Sequence, residues 1–140
     1  MPRKANAELA GLAADWWIDR MLEGSRDNGD GGVATGFVKA RSRPRPSEDE
    51  IRSLREPISK LYEDQLESGE PLDRWGRGEA NLWCDYESHV LDEIAAGAGV
   101  AYFTFHHGPW KAGCFIDKGR VYGKCGYGSH IIDVETKEKL

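Results

Sequence analysis

Seven cysteine and histidine side chains are the residues of this sequence that could bind a metal ion or attack a substrate: Cys84, Cys114, Cys125, His89, His106, His107 and His130. A structural zinc site usually combines two close pairs, such as Cys-x-x-Cys with His-x-x-x-His, and these seven residues form no such pairs. No local feature, such as a helix that starts after a glycine-flanked cysteine, marks a thiol as an activated nucleophile. We therefore expect no metal site, no cofactor and no catalytic residue, and a protein that is not an enzyme is the favoured class.

The relative positions of the two cysteines nearest the C-terminus depend on the register of a predicted β-hairpin. With a two-residue turn at Lys118-Gly119, Cys114 lies opposite Gly123. Cys125 then lies opposite Ala112, and both thiols share one face of the sheet, whereas a three-residue turn would separate them. The expected role of these thiols is that of small core residues, and three free cysteines fit a reducing compartment.

Two motifs near the N-terminus resemble phosphate-binding sequences. Residues 29–34, Gly-Asp-Gly-Gly-Val-Ala, match the relaxed dinucleotide fingerprint, but a predicted helix rather than a strand precedes them. A flexible turn is the better interpretation. Arg41, Arg43 and Arg45 lie on an extended connector and could contact phosphates, which keeps a DNA-binding regulator as a third and disfavoured hypothesis.

The negative charge of the chain is concentrated in its middle third. The 140 residues carry a net charge of -5, whereas residues 47–99 alone carry -9 and each flanking segment carries +2. Eight of the acidic residues lie on or beside one predicted helix: Glu48, Asp49, Glu50, Glu56, Glu63, Asp64, Glu67 and Glu70. This balance argues against a general nucleic-acid binder and is typical of a solvated helix face. The sharper interpretation is a surface that occupies a basic, nucleic-acid-binding groove on another protein.

Three helices are predicted to position these residues. Asn6 can cap a helix over residues 7–23 that ends at Gly24 and whose apolar stripe includes Leu9, Leu12, Ala13 and Trp16. The capping box at residues 47–50 opens a helix that runs to Gly69 with a kink at Pro57. Asp85 caps a third helix that ends at Gly97, and residues 33–41 are a weaker helical candidate.

Short apolar runs predict strands at residues 81–84, 101–105, 111–116 and 120–125. Helices first and strands last predict one α+β domain over residues 1–140, with N-terminal helices packed on a small C-terminal antiparallel sheet. Residues 1–5 and 136–140 are expected to fray. No stretch approaches the ~18 apolar residues that span a membrane, and acidic residues interrupt the run after the basic start, so we expect a cytoplasmic protein.

Several short motifs, taken in order, resemble a family of small uncharacterised proteins of bacterial phages and mobile elements. They are Trp16-Trp17, Asp27-Asn28-Gly29-Asp30, Pro46-Ser47-Glu48, Asp85-Tyr86, Pro109-Trp110-Lys111 and Gly126-Tyr127-Gly128, and the likeness covers residues 9–134. Where the family pattern continues Asp-Tyr with Gly-Pro, this chain has Glu87-Ser88. The resemblance implies an inhibitor of host defence, a class that includes anti-CRISPR proteins, and it supplies no catalytic residues.

Two hypotheses follow from the sequence. The first is a phage-type inhibitor that binds a Cas effector and blocks nucleic-acid engagement, without contacting nucleic acid or membrane itself. Its expected contact residues are four carboxylates and three aromatic anchors, namely Glu56, Glu63, Asp64, Glu67, Trp75, Trp110 and Tyr127. The alternative is a small enzyme or nucleotide-sequestering protein that acts on a defence signal through His106, His107, Trp110 and Lys111. The oligomeric state stays open.

Overall fold

A computed structural model describes residues 4–26, 46–74, 76–84, 89–100, 111–125 and 130–140. Within these ranges the chain forms helices α1 (Asn6–Arg26), α2 (Glu48–Arg52), α3 (Arg55–Ser68) and α4 (His89–Gly97). The strands are β1 (Ala80–Cys84), β2 (Ala112–Asp117), β3 (Arg120–Cys125) and β4 (Ile132–Asp133). Helix α1 packs on β2 and β3, and α3 packs on α1 and β1. This arrangement confirms the predicted α+β class.

The sheet is antiparallel throughout, with the strand order β1-β2-β3-β4. Cys114 pairs with Gly123 and Ala112 pairs with Cys125, so of the two turns that the sequence leaves open the structure has the two-residue one. Lys118 and Gly119 both have a positive φ, of 50° and 76°. Positive φ at both central residues is the geometry of the tight turn whose twist matches the flanking strands.

Helix α1 buries Leu9 and Ala13, as the sequence predicts, but it does not bury the whole predicted stripe. Trp17 rather than Trp16 lies fully inside, and Leu12 and Trp16 are only partly buried. The Trp17 Nε1–H donates to the Tyr62 hydroxyl at 2.8 Å, and that hydroxyl donates to the Cys114 carbonyl at 2.8 Å. Two polar groups that would be costly to bury alone are therefore satisfied at the α1–α3 contact. The helix also continues past the predicted stop at Gly24 to Arg26.

The region after Ser47 contains two helices rather than the one kinked helix that the sequence predicts. The capping box is confirmed, because the Glu50 N–H donates to Ser47 Oγ at 3.1 Å and the Ser47 N–H donates to Glu50 Oε1 at 3.0 Å. The helix then breaks between Arg52 and Arg55. Pro57 explains the position of the break, since a proline ring collides with the carbonyl four residues earlier, here that of Ser53.

A buried polar network joins α3 to β1 and to the loop between them. The Gln65 Oε1 atom accepts from the backbone N–H groups of Asn81 at 2.8 Å and Leu72 at 2.6 Å. The Asn81 Oδ1 atom accepts from the Asp73 N–H at 3.0 Å. Both side chains are buried, and these bonds replace the water that they lose on folding. They fix α3 against the sheet.

The C-terminal residues, for which the sequence predicts fraying, form backbone hydrogen bonds with the segment that precedes them. The Asp133 N–H donates to the Glu138 carbonyl at 2.8 Å, and the Leu140 N–H donates to the Ile131 carbonyl at 2.7 Å. Lys4 Nζ lies 3.0 Å from Glu135 Oε1 and ties the first described residues to this segment. The chain end therefore forms part of the folded surface.

Several sequence predictions lie outside the described residues, namely the glycine-rich segment at 29–34, the helix at 33–41, the arginine cluster at 41–45, the cap at Asp85 and the strand at 101–105. Where the chain is described, no helix has the length and apolar character needed to cross a membrane.

Candidate functional site

The outer side of α3 carries the carboxylates that the sequence analysis selects. Ile58, Tyr62 and Gln65 face the core, so the residues on the opposite side of the helix face solvent. That side presents Glu56, Lys60, Glu63, Asp64 and Glu67, which we call the α3 acidic face. The structure therefore brings the four predicted carboxylates together on one surface.

Cations neutralise only part of this region. Lys60 Nζ lies 3.6 Å from Asp64 Oδ2, and both side chains are well exposed. Arg55, at the edge of the face, is engaged by Asp15 of α1, with Nε 2.6 Å from Oδ1. The hydrogen bond that Arg55 donates to the Asp15 carboxylate raises the pKa of Arg55. Among the described residues, no lysine, arginine or histidine lies within ion-pair distance of Glu63 or Glu67.

The three predicted aromatic anchors, Trp75, Trp110 and Tyr127, lie outside the described residues. The same holds for His106 and His107 of the alternative hypothesis. Elsewhere in the described ranges, no group of three or more His, Cys, Asp or Glu side chains is placed to hold a metal ion.

A second candidate site, which the sequence analysis missed, is a cavity of about 410 Å³ between α1 and the chain end. We call it the C-terminal cavity. Its walls combine apolar side chains with nitrogen bases and one thiol, contributed by Trp16, Val134, Arg20, His130, Lys137 and Cys125. These residues come from α1, from β3 and from the segment that follows residue 129.

Trp16 is the aromatic wall of the cavity, and its position is fixed by its neighbours. Gly123 of β3 lies directly under the indole, so that a Cβ atom there would overlap the ring. The edge of Trp16 meets Trp17, with ring centroids 5.1 Å apart and planes at 89°. The Arg20 guanidinium carbon lies 5.9 Å from the Trp16 ring centroid, within the range of a cation–π contact.

Arg20 does not have all its donors matched. Its Nη2 lies 2.9 Å from Glu23 Oε1, in a pair whose glutamate side chain is 61% exposed. Its Nε is buried and has no hydrogen-bond partner among the described residues. A charged donor without an acceptor costs free energy. The described chain therefore leaves the hydrogen-bonding capacity of the Arg20 guanidinium partly unused.

The three cysteines differ in environment, which corrects the expectation that the thiols behave alike as core residues. Cys84 and Cys114 are buried, whereas Cys125 is exposed at the cavity. Burial raises the pKa of the Cys114 thiol well above its ordinary value, outweighing the hydrogen bond from Tyr62. Partial burial also raises the pKa of Cys125, although nearby Arg20 opposes the shift. Both thiols stay protonated at neutral pH, so neither is an activated nucleophile.

Asp133 holds the segment that forms the outer wall of the cavity. Its Oδ1 accepts from the backbone N–H groups of Glu135 at 2.9 Å and Thr136 at 3.1 Å, and its Oδ2 lies 2.9 Å from Arg120 Nη1. Lys137 follows with a φ of 65°, and its N–H donates to the Asp133 carbonyl at 2.8 Å. The turn that Asp133 stabilises thus places Lys137 at the cavity.

No protein-family model matches the chain, and comparison with curated proteins finds no match either.

Proposed function

We propose that the protein is an inhibitor of host defence, of the anti-CRISPR kind, which binds a Cas effector through the α3 acidic face. In this role the face occupies a basic groove that otherwise binds nucleic acid. The observation that carries the proposal is the grouping of Glu56, Glu63, Asp64 and Glu67 on one helix face, with Lys60 among them and Arg55, which is paired with Asp15, at the edge.

The charge density of the face supports this role. Glu56 and Glu67 are eleven residues apart, or about 17 Å along the helix axis. Four carboxylates and one ammonium group give a net charge of -3, which is about one negative charge per 5.5 Å. One strand of B-DNA carries one charge per ~3.4 Å. The face therefore reaches about 60% of the linear charge density of a nucleic-acid strand, on a rigid scaffold.

Two arguments support the proposed class of partner. A cationic groove is required by the charge of the face, and grooves of this kind bind nucleic acid. The resemblance of the sequence motifs to proteins of phages and mobile elements favours a defence protein of the host, and Cas effectors combine both properties.

The experiment is a competition assay with purified Cas effectors of the different CRISPR types. The protein is expected to block target binding by one of them, and to lose at least about tenfold in affinity when NaCl is raised from about 0.05 M to about 0.5 M. The variant Glu63→Lys/Asp64→Lys/Glu67→Lys should bind at least about 100-fold more weakly, because like charges then meet in the groove.

A matched control reverses three exposed carboxylates elsewhere, in the variant Asp19→Lys/Glu93→Lys/Glu138→Lys. It changes the net charge by the same amount and should inhibit within about threefold of the wild type, since only the position of the charge differs. Equal inhibition by the wild type and the α3 variant would refute the proposed mechanism. So would the absence of binding to every effector tested.

A further inference from the structure

The C-terminal cavity plays no part in the proposed function, yet it has the properties of a ligand site. Its volume of about 410 Å³ lies near the lower end of the ~300–1,000 Å³ that small-molecule pockets occupy. A cavity of this size holds one small organic molecule. We infer that the C-terminal cavity binds a phosphate monoester attached to a planar ring, the chemistry of a nucleoside monophosphate.

The charge of the lining selects an anion. Arg20, His130 and Lys137 supply nitrogen groups, and none of the described residues that line the cavity is a carboxylate, although Glu23 pairs with Arg20. This concentration of positive charge stands in a chain whose net charge is -5. A phosphate monoester, with a charge between about -1.5 and -2 at neutral pH, matches two permanent cations.

Arg20 is the residue best placed to recognise the phosphate. Arginine presents a planar fork of donors that fits two phosphate oxygens at once. Its pair with Glu23 is exposed, and exposed ion pairs contribute little stability, so a phosphate can replace that carboxylate. The Nε atom is buried, so the contact with the phosphate is assigned to the terminal nitrogens of the guanidinium.

The remaining walls select the rest of the ligand. Trp16, Ile132 and Val134 form apolar surface, and Gly123 holds the Trp16 indole in place. Inorganic phosphate would leave this surface uncovered, and a neutral nucleoside would leave the cations unmatched. A ligand with both parts is therefore expected to bind more tightly than either part alone.

The test uses calorimetric titration of the full chain with adenosine monophosphate and with phenyl phosphate. Both should bind with a Kd between about 10 µM and about 1 mM. Adenosine and inorganic phosphate should each bind at least about tenfold more weakly, because each lacks one of the two parts. A saturable response to inorganic phosphate that equals the response to adenosine monophosphate would refute the ring contribution.

Two variants and one chemical probe locate the binding site. Arg20→Gln and Lys137→Ala should each weaken adenosine monophosphate binding at least about tenfold, and Arg52→Gln on exposed α2 serves as the control. Thermal unfolding verifies that each variant is folded. The ligand should also slow alkylation of Cys125, whereas buried Cys84 and Cys114 provide internal references for the mass-spectrometric readout.

Three results would overturn the inference: no saturable binding up to about 5 mM ligand, unchanged binding in both variants, or unchanged alkylation of Cys125. The inference does not rest on the proposed function. The α3 variant Glu63→Lys/Asp64→Lys/Glu67→Lys should bind adenosine monophosphate as the wild type does, so failure of one proposal is distinguishable from failure of the other.

Discussion

On the outer side of α3, four carboxylates project from one helix, whereas near β4 the nitrogen bases of Arg20, His130 and Lys137 converge from distant parts of the chain. The two regions lie toward opposite edges of the sheet, because α3 packs on β1 and the cavity adjoins β3 and β4. One offers a row of carboxylates suited to a basic surface of a large partner, and the other is a cavity suited to a small anion.

The comparison shows how one acidic chain can carry two surfaces of opposite sign. The α3 acidic face is built by helical periodicity alone, so its charge pattern is a local property. The C-terminal cavity exists only when α1, β3 and the chain end are assembled. Loss of tertiary packing should therefore abolish the cavity before it alters the distribution of charge along α3.

The largest expected change in stability that distinguishes the core from the C-terminal cavity comes from substituting the two adjacent tryptophans of α1. Trp17→Ala removes a fully buried indole and the partner of Tyr62, and should reduce the free energy of unfolding by about 3–5 kcal/mol. Trp16→Ala removes a partly buried wall and should cost about 1–2 kcal/mol, since less apolar area is lost. Thermal unfolding measured by circular dichroism gives both values.

Binding assays on both tryptophan variants, at a temperature below both unfolding transitions, complete this test. Trp16→Ala should lose adenosine monophosphate binding and keep inhibition through α3, because its ring lines only the cavity. A larger loss of stability in Trp16→Ala than in Trp17→Ala would contradict the assignment of Trp17 to the core.

The sequence predicts the elements that depend on local signals. The capping box at Ser47 and the glycine at 69 bound the acidic region correctly. Each of these two signals is determined by residues within a few positions of one another, so capping chemistry and periodicity suffice. The register of the β2–β3 pair is different, because the sequence leaves a two-residue and a three-residue turn open and only the structure selects the two-residue turn.

Features that depend on tertiary packing were either not predicted from the sequence or predicted wrongly. Trp16 and Trp17 both fit a broad apolar stripe, and only the hydrogen bond to Tyr62 selects Trp17 for the interior. Nothing in the spacing of Arg20 and Lys137 indicates that they share a cavity, because 117 positions separate them. The buried pair of Gln65 and Asn81 is likewise visible only once α3 and β1 are in contact.

Substitution of Asp133 is expected to have an intermediate effect on stability. This residue supports the C-terminal cavity and is not part of the α3 acidic face. Burial by itself raises the pKa of Asp133, but hydrogen bonds from the Thr136 N–H, the Arg120 guanidinium and the Glu135 N–H outweigh it and hold the pKa below its ordinary value. A carboxyl with a lowered pKa stabilises the fold above its unfolded pKa of about 3.9. That contribution is lost as the pH falls through the lower, folded value.

Asp133→Asn should therefore reduce the free energy of unfolding by about 1.5–3 kcal/mol at pH 7, because charge-assisted hydrogen bonds to Asp133 are replaced by neutral ones. The difference from the wild type should shrink as the pH falls below the unfolded pKa of about 3.9 and through the lower pKa of the folded wild-type carboxyl. Chemical denaturation across a pH series measures this, with exposed Asp19→Asn as the control. A difference that grows on acidification would contradict the lowered pKa.

The smallest change in stability, and the finest test of the α3 acidic face, is Lys60→Gln. The Lys60–Asp64 pair is exposed, with the lysine preceding the acid, so its removal should change the free energy of unfolding by less than about 0.5 kcal/mol.

The same substitution, Lys60→Gln, makes the net charge of the face more negative by one. Binding to a cationic groove should therefore tighten by about two- to fivefold at low salt and converge with the wild type at high salt. Adenosine monophosphate binding in the cavity should not change, since Lys60 is not one of the residues that line it. If Lys60→Gln instead weakens inhibition at low salt, the Lys60 ammonium group itself contacts the partner. The partner then does not bind the α3 acidic face as a continuous negative surface.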